Sequence, residues 1–148
     1  MTSEELKKLQ ITACKVRMGI IESTHAAACG HPGGSLSSAD VHTYLYFKEM
    51  RVNPQEPNWA DRDRFVLSKG HAAPALYAVL AERGYFPVSD LTTLRKVGSY
   101  LQGHPCRSVT PGIDMSTGSL GQGVSAAAGM ALALKCQKKD SRVYTILG

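Results

Sequence analysis

The chain has 148 residues, 43% of them hydrophobic and 20% charged, with a formal charge of +5. That length gives one domain or part of one, and the composition is that of a soluble globular protein rather than a disordered or low-complexity one. No apolar run approaches the length that spans a bilayer, the polar segment Met1–Lys8 is no secretory leader, and a cytoplasmic protein is expected.

Thr2 and Glu5 form a capping box for a first helix, in which Leu6, Leu9, Ala13, Val16 and Ile20 recur at helical spacing. The segment Gly30-His31-Pro32-Gly33-Gly34 is expected to be irregular. A second helix starts near Ser37 or Ser38 and runs to about Met50, and Asn53 to Asp61 reads as a loop. Phe65-Val66-Leu67 is a short apolar run suited to a buried parallel strand. Ser68-Lys69-Gly70-His71 is then a strand-to-helix turn. Pro74 fits the first turn of a helix ending at Arg83-Gly84. Ser89 is read as the cap of a short helix carrying Leu91, Leu94 and Val97, and residues 98–117 as mainly loop. A small-residue helix from about Leu120 to Gln137 and a strand at Val143–Leu147 complete the order. Helices between parallel strands make this an α/β fold, helix-rich, with too few strands for a self-sufficient sheet.

Three histidines lie in glycine-rich company: His31 before Pro32-Gly33-Gly34, His71 after Gly70, and His104 between Gly103 and Pro105. Gly118-Ser119-Leu120-Gly121-Gln122-Gly123 opens the small-residue helix, where free N–H groups favour an anion. In open α/β sheets, ligands collect beyond the carboxyl ends of the strands, and both strands deliver their following residues there. Each histidine alone also fits a plain structural role, and His25 and His42 are read as structural or surface residues. The basic residues are spread along the chain without interleaved aromatics, which argues against a nucleic-acid partner. The four cysteines form no C-x-x-C pair and are expected to be free thiols. Cys29, His31, His104 and Cys106 could instead offer two sulfurs and two imidazoles to zinc in an interaction module.

Gly-His-Pro-Gly-Gly-Ser, Leu-Ser-Lys-Gly-His-Ala, Gly-His-Pro and Thr-Gly-Ser-Leu-Gly-Gln-Gly occur in that order. The series resembles the amino-terminal, diphosphate-binding domain of transketolase, including the members split into two subunits, across essentially the whole chain. The resemblance implies part of a parallel-sheet thiamine diphosphate-binding fold over residues 1–148. It implies transfer of a two-carbon ketol unit from a ketose phosphate to an aldose phosphate, as in the pentose phosphate pathway.

By the same resemblance His71, Gly118, Ser119 and Leu120 bind the cofactor, with Leu120 near the thiazolium ring. His31 and His104 then line the substrate channel as catalytic groups. Ser119 replaces a proline common in full-length members. The family's Mg²⁺ ligands, an aspartate of a Gly-Asp-Gly motif and a later asparagine, are expected beyond Gly148. No metal ligand is assigned within the chain, and these residues alone are expected to give little ketol transfer. Implied partners are sugar phosphates and a C-terminal subunit or domain, in a homodimer or heterotetramer. The alternatives are another thiamine diphosphate-dependent sugar-phosphate enzyme and the zinc module.

Overall fold

A computed structural model describes all of residues 1–148. Helix α1 (Ser3–Ala26) begins at the predicted capping box: the Thr2 hydroxyl accepts from Glu5 N at 3.2 Å, and the Glu5 carboxylate accepts from Thr2 N at 2.7 Å. Its apolar stripe turns inward from Ala13, Val16 and Ile20, whereas Leu6 is exposed. A Cβ on Gly19 would stand 3.2 Å from Ala78 Cβ, so α1 lies close against the central helix here.

The next two elements differ from expectation. The segment expected to be irregular contains a short helix, α2 (Pro32–Leu36), because Pro32 supplies a preset φ where no N–H donor is needed. The second predicted helix is divided into α3 (Ala39–Tyr44) and a wider π turn over Leu45–Glu49. Arg83 Nε donates to Tyr46 O at 3.0 Å, and Met50 N donates to Leu45 O at 2.8 Å. The carbonyl that Met50 would use in an α-helix is thus taken by another side chain, and the turn widens.

Strand β1 (Arg64–Leu67) pairs in parallel with β2 (Val143–Ile146), in the register Phe65 to Tyr144 and Leu67 to Ile146. Asp63 accepts from Arg51 N (2.8 Å) and Arg142 N (2.7 Å), which joins the two strand starts. Between the strands lies α4 (Ala73–Arg83), buried at every position from Ala73 to Ala81 and ended by Gly84 in the left-handed region (φ 97°). It packs against α1, α2 and α3, and Leu91, Leu94, Leu101 and Ile113 join the same core.

The predicted Ser89-capped helix is instead a 3₁₀ turn over Val88–Thr93, with Pro87 at the cap position. Thr92 and Thr93 hydroxyls bond back to the Ser89 and Asp90 carbonyls, Arg95 has φ 60°, and Val97 is left fully exposed. Hydroxyl back-bonding competes with the ladder and stops the run. Helix α5 (Gln122–Cys136) matches the small-residue segment and leads into β2.

Candidate cofactor and substrate site

The site is assembled at the carboxyl end of β1. Ser68 N extends the ladder to Ile146 O at 2.8 Å. Ser68 O accepts from Gly121 N at 3.1 Å, and its hydroxyl accepts from Val124 N at 3.2 Å. The first turn of α5 is therefore fastened to the residue following β1. Gly123 permits the contact, since a Cβ there would stand 3.0 Å from Ser68 Cα.

Gly70 brings the next loop in. A Cβ on it would lie 2.7 Å from Thr117 O and 2.8 Å from Gly118 N, so only a glycine lets the two backbones approach. His71 then meets His31 edge to face, with ring centroids 5.1 Å apart. A Cβ on Gly118 would be 3.6 Å from His104 Cδ2. The Tyr77 hydroxyl shares its proton between Gln102 O (2.8 Å) and His104 O (3.0 Å), fixing the loop that carries His104. Burial pushes that phenol's pKa upward, so it remains a donor.

The structure thus brings His31, His71, His104 and Gly118 together from four separate segments. Ser119 and Leu120 are exposed at the entrance to α5, where a shallow pocket of about 240 Å³ runs from Met115 to Ser119 and on to Gln122 and Gly123. Burial, and then the nearby His31, Lys69 and His104, hold the His71 pKa below its ordinary value. The imidazole is therefore neutral near pH 7, with one N–H to give.

The sequence places Lys69 only in a turn, yet it is buried, and its Nζ donates to Gly34 O at 3.0 Å and Ser37 Oγ at 3.2 Å. It ties α2, which follows His31, to the loop carrying His71. A lysine directly after a buried strand was the available signal, since its charge must find acceptors inside.

The zinc cluster considered from the sequence is not formed. No group of three or more His, Cys, Asp or Glu side chains stands together. The Cys29 thiol accepts from Arg95 Nη1 at 3.4 Å, while Cys106 Sγ lies 3.2 Å from Ser108 Oγ. All four cysteines are free, as expected.

The donor set suits the phosphates of a bound cofactor. Thr117 Oγ1 is buried without a partner beside the Gly70 cradle, the start of α5 has no side-chain cap, and the neutral imidazole of His71 directly follows Gly70 in the chain. The residues present do not suit a divalent metal, which needs carboxylates that this edge lacks.

A parallel-strand α/β unit that gathers histidines and glycine loops beyond its strand ends is a phosphate-cofactor-binding domain. The transketolase, thiamine diphosphate binding domain family matches residues 8–143, and the chain belongs to that family. It is 49% identical over 146 residues to the 6-deoxy-6-sulfo-D-fructose transketolase subunit of Clostridium sp. (strain MSTE9), covering 99% of this chain and 53% of that protein. Human transketolase is 47% identical over 148 residues, covering 98% of this chain and 23% of that protein. The transketolase structure from Leishmania mexicana superposes with a TM-score of 0.88 at 35% identity, covering 95% of this chain and 22% of that one. The chain therefore spans about half the length of the Clostridium relative and under a quarter of the human protein. Thiamine diphosphate is the cofactor of the family's domain.

Proposed function

We propose that these residues form the diphosphate- and sugar-facing part of a transketolase site, moving a two-carbon ketol unit from a ketose phosphate to an aldose phosphate. The observation that carries this reading is the meeting of His31, His71 and His104 around Gly118 at one strand edge. When bound, thiamine diphosphate supplies the electron sink for carbon–carbon cleavage. His71 would donate its N–H to the diphosphate, alongside the backbone of Gly118 and Ser119. Leu120, with its side chain exposed, would offer an apolar wall to the thiazolium. The exposed imidazoles of His31 and His104 would hold donor hydroxyls and carry protons between hydroxyl and carbonyl.

Carboxylate ligands for Mg²⁺ and the remaining catalytic groups would come from outside these residues, with a C-terminal subunit completing a homodimer or heterotetramer. The Clostridium relative is named for a sulfo-sugar, and a 43% identical relative from Phocaeicola vulgatus is named for transketolase action on apulose-4-phosphate. Specialised sugar donors therefore stand beside those of the pentose phosphate pathway as substrates. A cytoplasmic setting accords with the free thiols, and no helix is long and apolar enough to cross a membrane.

Two measurements test this. Titration calorimetry of thiamine diphosphate into the chain should show saturable binding, weakened about tenfold or more in His71→Ala for loss of a charge-assisted hydrogen bond. In a chimera carrying these residues in place of the homologous segment of human transketolase, ketol transfer should persist. There His31→Gln and His104→Gln should each lower kcat by about a hundredfold while leaving cofactor affinity intact. A chimera that binds cofactor yet transfers no ketol unit from any sugar phosphate would overturn the reaction. Unchanged affinity in His71→Ala would overturn the site.

A further inference from the structure

Arg64 opens β1 at the end opposite His71, beside a cavity of about 700 Å³. Three guanidiniums line this cavity, those of Arg62, Arg64 and Arg107, against the single carboxylate of Asp114. The lining thus carries two positive charges in excess. Arg62 is only 8% exposed and is held by Asp114 through two bonds of 2.6 and 3.1 Å, with its Nε left without a partner. Asp114 is further occupied by Phe65 N at 2.7 Å. Arg64 has only the Trp59 and Ala60 carbonyls at 3.4 and 3.1 Å and an Asp114 oxygen at 3.9 Å. Arg107 is exposed and pairs with no carboxylate. Burial, together with the charges of Arg62 and Arg107, holds the Arg64 pKa below its ordinary value. The facing wall is apolar, formed by Met130 and Leu134 of α5 and by Ile113.

We propose that this cavity binds a small organic anion, its phosphate or carboxylate head between Arg64 and Arg107 and its apolar body against α5. A planar guanidinium fork matches either head group, and the one nearby carboxylate is already committed to Arg62 and the β1 backbone. The cavity lies at the other end of β1 from the histidines, with Arg107 N bonded to Ser116 Oγ (2.9 Å) at the edge of the shallow pocket, and the proposal stands whether or not the cofactor reading does.

Phenyl phosphate titrated into the full chain at low ionic strength, followed by calorimetry, is the test, with benzoate as the carboxylate probe and inorganic phosphate as the head group alone. At least one organic probe should bind with one-to-one saturation and more tightly than inorganic phosphate. Thiamine diphosphate present at saturation should leave that affinity unchanged. Arg107→Gln and Arg64→Gln should each weaken it about tenfold or more, as expected for a hydrogen bond to a charged group. Arg107 is exposed, so its variant should keep the wild-type melting temperature. Absence of saturation with both organic probes would overturn the proposal, as would unaltered affinity in Arg107→Gln. Displacement by thiamine diphosphate would place the probe at the histidines and overturn it equally. Inorganic phosphate binding as tightly as both organic probes would remove the apolar wall from the site and overturn it as stated.

Discussion

His42 is wholly buried in α3, where its Nδ1 lies 2.9 Å from Ser38 O and its Nε2 has no partner. The Nδ1 proton is donated to that carbonyl, and the neutral ring packs 5.3 Å from Phe65. Burial, with Lys69 adding a nearby charge, lowers its pKa to about 4. The sign of the consequence is fixed. In the unfolded chain the imidazole takes a proton near pH 6.5, whereas in the folded protein it resists until near pH 4. Its contribution to stability is therefore complete above pH 6.5 and is lost as pH falls toward 4. The loss should be about 2.5 kcal/mol, read as the difference in urea unfolding free energy between pH 7.5 and pH 4.5. His71, whose pKa is also lowered, acts in the same direction. His42→Asn should flatten the slope even where it lowers stability overall, and an unchanged slope would place the titration elsewhere.

At the scale of elements, the site depends on how closely the turn after β1 approaches the loop before α5. Gly70→Ala would drive a Cβ to 2.7 Å from Thr117 O and 2.8 Å from Gly118 N, and both are backbone atoms that cannot swing aside. The variant should lose about 1–3 kcal/mol in chemical denaturation, as overpacked cores do, and should lose thiamine diphosphate affinity with it. Gly129→Ala is the control, because a Cβ there meets nothing within 4 Å. It should stabilise α5 by up to about 1 kcal/mol through helix propensity. Equal stability in the two alanine variants would show that the approach at Gly70 is not tight. The strand, turn and helix from Phe65 to Gly84 were legible in the sequence because apolar content, a proline at a first turn and a terminal glycine all agree there. The strand-end rule reached His71 alone, whereas His31 and His104 were singled out by their glycine-rich settings and by the family resemblance. The π turn after Tyr44 was not legible, since it depends on Arg83 reaching a carbonyl 37 residues away in sequence. The burial of Lys69 had a signal in the sequence, but its acceptors, Gly34 and Ser37, were hidden for the same reason. Val97 misled because spacing alone cannot show that threonine back-bonds and a left-handed Arg95 end the turn first.

Across the whole molecule, burial is uneven. Every residue of α4 from Ala73 to Ala81 is buried, but α5 buries only Gly123 and Ala127, and Leu132 on α5 is largely exposed. Each residue of β2 is half-buried, and that strand pairs with β1 alone. Opening α5 and β2 would therefore forfeit little apolar burial, while opening α4 would dismantle the core. Local opening free energy follows such differences. Hydrogen exchange in the isolated chain should show α4 amides protected about a hundredfold or more beyond those of Met130–Cys136. The first turn of α5 should stand apart from the rest of that helix, because Gly121 N and Val124 N are bonded to Ser68. Thiamine diphosphate should slow exchange chiefly from Thr117 to Val124, where the anchored turn faces the histidines, and leave Met130–Cys136 nearly unchanged. Phenyl phosphate should do the reverse, since its cavity is walled by Met130 and Leu134. One and the same exchange pattern with both ligands would mean a single anion site, and the division of the molecule into a cofactor edge and an arginine-lined far end would fail.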